Sequence, residues 1–223
     1  MPLYNGDTEA AFSAEQNALV TMNAERYYRS VMEGTGNSWN IRDRHMMSTL
    51  NRLADFHGKR SKAVIWAHNT HIGDARATDM AQHGMINIGQ LAREKYKDDA
   101  VLVGFGSYEG TVIAGSRWEG EMEVMNMPLA KGGSWESALH TRSPENKLLI
   151  FDNRSRKLLN SPIGHRAIGV VYDSGRENQG NYVPTVIPDR YDAFLYVDRT
   201  QALHPLHLSP DGHKIPETYP FGV

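Results

Sequence analysis

Short, uninterrupted apolar segments rich in β-branched side chains recur along this chain of 223 residues, and they constrain its fold more than any other feature. Residues 63–67, Ala-Val-Ile-Trp-Ala, contain no polar position, which is typical of a strand covered on both faces of a sheet. Residues 101–105 form a second such segment, and residues 88–96 between the two have helical spacing. The order strand, helix, strand predicts a βαβ unit and therefore an α/β fold.

Two amphipathic helices are predicted before the first strand. Residues 13–33 begin with Ser13-Ala14-Glu15-Gln16, a capping-box pattern, and continue with apolar side chains at helical spacing. Asn40 is the expected cap of a second helix, which also has a buried apolar stripe. The α/β part of the chain is therefore expected to follow a helical pair.

The remaining pattern completes a prediction of the whole fold. Further strands are predicted at residues 111–114, 148–151, 167–172 and 193–197, with a short helix at residues 134–140. Residues 173–190 are rich in Gly, Asn and Pro and are predicted to form a loop. We predict a mixed, mainly parallel sheet with helices on both faces, preceded by the two helices. Residues 1–206 are expected to form this domain, and residues 207–223 an extended, proline-rich tail.

Composition excludes several classes of partner and chemistry. The formal net charge is -2 and the basic residues are scattered, so we expect no nucleic acid partner. No apolar run approaches the roughly 20 residues of a membrane helix, and the N-terminus lacks the pattern of a signal peptide. We therefore expect a cytoplasmic protein without membrane contact. The absence of cysteine excludes disulfides and thiolate nucleophiles.

The segment from Trp66 to Arg76 is the leading candidate for a site, because ligands of open α/β sheets bind beyond the carboxyl ends of strands. His68 and His71 suit acid–base chemistry, and a carboxylate or guanidinium nearby could orient an imidazole or stabilise an oxyanion. The polar side chains expected to contact substrate here are Asn69, Asp74 and Arg76. The alternative is that both histidines only satisfy backbone groups in a turn. A metal site is disfavoured, since His-x-x-His here lacks a third ligand and the His-Glu-x-x-His pattern.

Arg42 and Asp43 form a second candidate group. Each lies four residues before a methionine of the second helix, so both begin the face that this helix otherwise buries. One interpretation is a helix cap with a buried ion pair. The other is that both side chains point into a cleft at a helix N-terminus.

The glycine-rich segment at residues 104–110 does not have the spacing of a dinucleotide loop, because its third glycine comes one position late and a strand is predicted afterwards. We predict a glycine-rich hairpin or crossover between two strands, in which Tyr108 and Glu109 border the cleft. The alternative is that the segment serves only to connect the strands. No Gly-x-Ser-x-Gly motif occurs, which disfavours a serine nucleophile. The other histidines lack partners at persuasive spacing and are expected on the surface or at caps: His45, His57, His83, His140, His165, His204, His207 and His213.

These segments together resemble the erythromycin esterase family, from about residue 12 to about residue 205. The resemblance is carried by ordered segments at residues 15–18, 23–29, 38–46, 66–76, 87–91, 104–111, 167–172, 181–184 and 191–194. Characterised members open the lactone ring of macrolide antibiotics with an activated water and no covalent nucleophile. The resemblance implies that His68 and His71 are the paired active-site histidines, with Arg42 and Asp43 in the cleft.

The resemblance also implies that this chain corresponds to the C-terminal half of such an enzyme. Family members carry an upstream Gly-Glu-x-x-His motif whose histidine is the general base, and nothing in this chain matches it. Loss of a positioned base lowers a rate by roughly 10²–10⁴. The expectation is a metal-independent, cofactor-free hydrolase of a carboxylic ester or macrolide lactone, linked to macrolide resistance. The alternative is a truncated, non-catalytic module that binds ligand, forms a homodimer or pairs with a complementing N-terminal half.

Overall fold

The structure is a computed structural model of the chain, and it describes residues 7–118 and 120–203. These residues separate into two compact units. The first unit comprises the chain up to Arg76 together with Met80–Ala100, and the second comprises Ala77–Asp79 and the chain from Val101 onward. The tail predicted from residue 207 lies outside the described residues.

The first unit is helical. Its helices are α1 (Thr8–Met32), α2 (Ser38–His57), α3 (Asn69–Ile72) and α4 (Ile88–Tyr96). Short 3₁₀ turns at Ala75–Ala77, Asp79–His83 and Lys97–Asp99 accompany them. The two leading helices are therefore confirmed, and α4 has the bounds that its spacing predicted.

The caps of the leading helices differ from the prediction. Asp7 caps α1 by accepting hydrogen bonds from the backbone of Glu9 and Ala10, so the helix begins before Ser13. Asn40 lies inside α2, where its side chain bonds the carbonyl of Gly84 and the N–H of Ile86. A residue type that favours caps is used here for a long-range contact, which tethers α2 to the loop before α4.

The strand predicted at residues 63–67 is wrong. This segment belongs to neither sheet and has no regular structure, with Val64 93% exposed and Trp66 86% exposed. An apolar run reports a tendency to be buried, but a strand also needs a neighbour for its backbone hydrogen bonds. The predicted βαβ unit is therefore not formed by the described residues.

The second unit holds both sheets. Its strands are β1 (Val103–Ala114), β2 (Glu123–Met127), β3 (Lys147–Ile150), β4 (Ile163–Arg166), β5 (Tyr182–Thr185) and β6 (Ala193–Thr200). Its helices are α5 (Trp135–Arg142), α6 (Asn153–Leu158), α7 (Glu177–Gly180) and α8 (Ile187–Arg190). One sheet has the order β2-β1-β6-β3, and β4 pairs with β5 in the other.

The α/β class and the mixed sheet are confirmed, whereas the expected direction of most strands is corrected. β1 and β6 are parallel, but β1–β2, β3–β6 and β4–β5 are antiparallel. The strand predicted at residues 167–172 is reduced to an isolated bridge between Gly115 and Val171. β5 lies within the segment that was predicted to be a loop, because its Pro184 argues against a strand in a sequence pattern. Proline is nevertheless tolerated in an edge strand, and both strands of a two-stranded sheet are edges.

The core of the second unit lies on one face of the four-stranded sheet. Phe194 and Tyr196 of β6 are buried there, and α5 packs against β1 and β6. Two positions of β1 that face buried aromatic rings require glycine. A Cβ at Gly104 would lie 2.6 Å from the Tyr191 ring, and one at Gly106 would lie 2.4 Å from the Phe194 ring. Two of the glycines of the 104–110 segment thus make room for core aromatics.

The opposite face of this sheet is apolar, and it is open at β3. Registered neighbours in a sheet share a face, so Phe105, Leu195 and Leu148 form one row. Val103, Ala193 and Ile150 form the next row. We call the two exposed residues of β3 on this face, Leu148 and Ile150, the open sheet face. Leu148 is 61% exposed and Ile150 75% exposed.

A buried arginine joins the two sheets. The Arg166 guanidinium donates to the carbonyls of Ser107 and Tyr108 at 2.9 and 2.7 Å, to that of Pro128 at 2.7 Å, and to the Glu177 carboxylate at 2.9 Å. This fork fixes the part of β1 that carries Tyr108. None of the helices in the described residues is long and apolar enough to cross a membrane.

Candidate functional site

His71 is held from both ring nitrogens by the two residues of the α2 candidate group. Its Nδ1 lies 3.0 Å from both carboxylate oxygens of Asp43, and its Nε2 lies 2.9 Å from Nη2 of Arg42. Because a guanidinium can only donate, Nε2 must accept, and the ring proton must lie on Nδ1 and point to Asp43. The contacts therefore fix a neutral His71 in one tautomer.

Aromatic stacking completes this arrangement. The Trp39 indole lies parallel to the His71 ring, with centroids 4.4 Å apart and planes within 5°. The guanidinium carbon of Arg42 lies 5.3 Å from the centroid of the Trp39 ring, and Trp39 Nε1 donates to the carbonyl of Ile86 at 2.7 Å. Trp39 thus orients an imidazole and a guanidinium together.

Asp43 is fully buried and anchors the group to α4. Its Oδ1 accepts from the backbone N–H of Ile88 at 3.0 Å, in the first turn of that helix, as well as from His71. A carboxylate at a helix N-terminus is stabilised by the unsatisfied N–H groups there. Asp43 thus bonds the first turn of α4, and Arg42 bonds His71; the position of either side chain in a cleft stays a prediction.

Asn87 and Gly89 hold the loop that carries His71. The Asn87 amide donates to the carbonyls of Thr70 and Gly73, and its oxygen accepts from the N–H of Gln90, which caps α4. A Cβ at Gly89 would lie 2.1 Å from the carbonyl oxygen of Ile72. The start of α4 therefore packs directly on the backbone of α3.

His68 has a local role at the start of α3. Its Nδ1 lies 3.3 Å from the backbone N of Thr70 and 2.9 Å from the Thr70 hydroxyl, so it caps α3 as the turn interpretation proposed. Asn69, the first residue of α3, contributes its carbonyl to the N–H of Gly73. The two histidines of the motif therefore have different local partners.

Asp74 and Arg76 form an ion pair. The guanidinium of Arg76 donates to both Asp74 oxygens, at 3.0 and 2.7 Å, and Arg93 lies 3.3 Å from the same carboxylate. Burial raises the pKa of Asp74, but the hydrogen bonds and charges of Arg76 and Arg93 outweigh it, so the pKa lies below its ordinary value. The side chain of Arg76 remains half exposed and can reach solvent.

Tyr108 and Glu109 lie in the second unit, on β1. Tyr108 stacks on the ring of His140 with centroids 3.7 Å apart, and Oε1 of Glu109 lies 3.9 Å from the guanidinium of Arg199.

Of the predicted site residues, the first unit brings Arg42, Asp43 and His71 into direct contact and pairs Asp74 with Arg76. The assignment of all these residues to catalysis or substrate binding stays a prediction.

Sequence reasoning missed several residues that shape these groups. Asn87 carried a signal, since asparagine before a helical pattern predicts a cap, but its bonds to the 70–73 turn could not be anticipated. His165 was expected at the surface and is instead fully buried, with Nδ1 2.5 Å from Glu136 and Nε2 3.2 Å from the Tyr191 hydroxyl. His140 pairs with Asp198, 58 residues away, at 2.8 Å. Pairs so distant in sequence give no local signal.

No cluster of three or more His, Asp or Glu side chains suited to a metal ion occurs within residues 7–118 and 120–203. Three histidines of the described residues each lie within hydrogen-bond distance of a carboxylate: His71 of Asp43, His140 of Asp198 and His165 of Glu136.

Solved structures support the fold. The chain is similar to a succinoglycan biosynthesis protein (TM-score 0.59, 18% identity, 72% of this chain and 38% of that one). It is also similar to a protein from Bacillus cereus (TM-score 0.60, 15% identity, 74% and 39%). A third is a mutant of the erythromycin esterase EreC in its open conformation (TM-score 0.53, 18% identity, 78% and 41%). At these identities the likeness shows the fold, and the chain spans about two fifths of the length of these structures.

The family is shown by sequence. The family model described as erythromycin esterase matches residues 4–200, which is most of the chain. The match covers both units and includes every residue of the groups around His71, Asp74 and Tyr108. The chain belongs to the erythromycin esterase family.

Proposed function

We propose that this chain is a hydrolase that adds water to a carboxylic ester or macrolide lactone, without a metal ion or other cofactor. The observation that carries the proposal is the contact chain Asp43–His71–Arg42. Family membership supports a hydrolase, and the name of the relative EreC favours an ester of the macrolide type. A cytoplasmic enzyme of this kind would protect its host from macrolides.

Arg42 is the group that we assign to the oxyanion. When water adds to an ester carbonyl, negative charge develops on the carbonyl oxygen, and a fixed guanidinium stabilises that charge more than it stabilises the neutral ester. Asp43 holds His71 in the tautomer that accepts from Arg42. Trp39 restricts the orientation of the His71 ring and of the Arg42 guanidinium. In this assignment His71 positions the arginine, while Asn69, Asp74 and Arg76 bind parts of the substrate.

We assign His68 to contact with the substrate and not to the contact chain Asp43–His71–Arg42. Its Nδ1 accepts from Thr70, so a neutral His68 carries its proton on Nε2. The role at the substrate follows from the resemblance, which implies that His68 is one of the paired active-site histidines.

The test is mass-spectrometric detection of ring-opened erythromycin, and of hydrolysis in a panel of simple esters, by the purified chain. His71→Ala and Arg42→Met should each lower the rate by roughly 10²-fold or more, since the second removes the group assigned to the oxyanion and the first removes the ring that positions it. His57→Ala and Arg60→Met are matched controls, because both residues are exposed and lie outside the described groups. Unchanged hydrolysis in His71→Ala and His68→Ala, in a preparation that is active, contradicts the assignment. Activity lost on exhaustive chelation would instead point to a metal-dependent enzyme.

A second candidate function is a binding module that acts only with a complementing polypeptide. The open sheet face and the two fifths of the relatives' length that the chain spans favour it. In this case the well-folded chain alone gives no turnover, and an added polypeptide corresponding to the family's upstream half restores it. Turnover by the chain alone would reject this candidate.

A further inference from the structure

Three carboxylate–histidine pairs among the described residues differ in what their second ring nitrogen contacts. In each pair Nδ1 faces the carboxylate: Asp43 for His71, Glu136 for His165 and Asp198 for His140. Nε2 of His71 is occupied by Arg42, and Nε2 of His165 faces the Tyr191 hydroxyl in the core. Nε2 of His140 has no hydrogen-bond partner among the described residues, and the side chain is 31% exposed.

This difference matters because a general base needs a carboxylate on one nitrogen and an open lone pair on the other. His165 is sealed from solvent, and the lone pair of His71 is already engaged by a permanent cation. His140 is the member of this set that meets both conditions.

The surroundings of His140 are built to hold one orientation. Tyr196, which is buried, donates its hydroxyl to the same Asp198 oxygen at 2.6 Å, and the backbone N–H of Asp198 donates to the side chain of Asn146 at 2.9 Å. Tyr108 covers one face of the imidazole, with ring planes within 8°. The ring of His140 is thus restrained at its edge and on its face.

Asp198 is also kept in its ionised form. Burial raises the pKa of Asp198, but the hydrogen bonds from Tyr196 and His140, together with nearby positive charge such as that of Lys147, outweigh it, so the pKa lies below its ordinary value. An ionised carboxylate accepts only, which places a proton on Nδ1 of His140 and the lone pair of the neutral ring on Nε2.

We propose that His140, oriented by Asp198 and stacked on Tyr108, is a general base of this chain that activates water for attack on a carboxylic ester. The inference rests on the proposed hydrolytic function and names a base within the second unit of this chain, whereas the resemblance implies a base only in the family's upstream half. Nε2 takes a proton from water as the water oxygen bonds to the ester carbonyl carbon. The carbon–oxygen bond to the leaving group then breaks, and the imidazolium returns the proton to the departing alkoxide. Ester and water become acid and alcohol, and His140 is restored.

The first arm of the test measures hydrolysis of p-nitrophenyl acetate by the purified chain. His140→Gln should lower the rate by roughly 10²-fold, and Asp198→Asn by about tenfold, because the ring then loses its fixed tautomer. His57→Gln is the control: His57 is exposed and has no carboxylate contact, so the rate should not change. An active chain whose rate is unaffected by His140→Gln, or lowered equally by His57→Gln, overturns the proposal.

The second arm does not require turnover. Diethyl pyrocarbonate acylates the open nitrogen of a histidine, and mass spectrometry of peptides gives the rate at each site. We expect His140 to be modified at least about tenfold faster than His57, and Asp198→Asn to remove most of that advantage. Modification of His140 no faster than that of His57 overturns the proposal. Fast modification that depends on Asp198, without any ester hydrolysis, would reject the proposed function and retain His140 as the reactive base.

Discussion

Glu136 shows how one residue of this chain depends on partners far away in sequence. Its Oε1 lies 2.5 Å from Nδ1 of His165 and accepts from the N–H of Arg166 at 3.1 Å, and all of its surface is buried. Burial raises the pKa of Glu136, but the charge and hydrogen bonds of His165 and the backbone N–H groups outweigh it, so the pKa lies below its ordinary value. The carboxylate is therefore favoured in the folded state although it is out of contact with water.

Stability should consequently fall in acid, and Glu136 should contribute to the fall. A carboxyl group with a folded pKa below its unfolded value stabilises the fold above the unfolded value, here 4.5, and that stabilisation is lost as the pH falls through the folded pKa. We expect Glu136→Gln to be less stable near neutral pH by roughly 1–3 kcal/mol and to lose less stability on acidification than the unaltered chain. Urea unfolding from about pH 7 to about pH 3 measures both effects.

The control for this measurement is Glu123→Gln, since Glu123 is exposed on β2. Its pH profile should match that of the unaltered chain. If Glu136→Gln has the same profile as well, the Glu136–His165 pair is not the source of the acid sensitivity.

At the scale of elements, the contact of α4 with α3 decides whether His71 meets Asp43. α4 contributes the Ile88 N–H to Asp43 and the Asn87 side chain to the 70–73 turn, and Gly89 allows the two backbones to touch. These contacts are made by the first turn of α4, so a small displacement of this turn moves both Asp43 and the loop that carries His71.

Gly89→Ala should therefore displace the backbone that carries Asp43 and His71 without removing any of their functional groups. The added Cβ would lie 2.1 Å from the carbonyl oxygen of Ile72, so α4 or α3 must shift, at a cost of about 1–3 kcal/mol in the free energy of unfolding. Gly132→Ala is the matched control, because a Cβ there meets nothing within 4 Å, and it should lie within about 0.5 kcal/mol of the unaltered chain. Urea unfolding compares the two variants. Equal stabilities would mean that α4 does not pack on α3 as described.

At the scale of the whole molecule, the open sheet face is apolar surface that the described residues leave exposed to solvent. Parallel pairs such as β1–β6 usually occur in sheets that are covered on both sides, yet Leu148 and Ile150 are largely exposed beside this pair. Exposed apolar surface of this kind marks an interface or causes association. This chain covers only about two fifths of each of the similar solved structures, so we expect a further layer of polypeptide to cover this face.

Without such a layer the chain should associate with itself. We expect light scattering after gel filtration to give a mass above the 25.0 kDa of one chain, and Leu148→Lys with Ile150→Lys to return it toward that value. Val20→Lys with Val31→Lys is the matched control, since both valines are 51% exposed on α1 and lie outside the open sheet face. A monomeric unaltered chain, or an equal effect of both double variants, contradicts this prediction.

The sequence by itself determined the features that depend on local periodicity and on motifs. It predicted the bounds of α4, the two leading helices and strands that overlap β3 and β6, and it indicated the family. These features depend on spacing within a single segment, which the order of residues records directly. It also selected Arg42, Asp43 and His71 as candidates, without indicating that they touch. It divided β1 into two strands, at residues 101–105 and 111–114, joined by a hairpin or crossover, whereas the structure has one continuous strand, Val103–Ala114.

The tertiary structure decided which partner each group has. Residues 63–67 have the composition of a strand but lie in neither sheet, because strand formation depends on a neighbouring backbone that a local pattern cannot supply. Asp43 and His71 are 28 residues apart in sequence, and His140 and Asp198 are 58 apart. Whether an imidazole is a sealed core group, a support for an arginine or an open base depends on contacts between distant segments, and only the folded chain fixes those contacts.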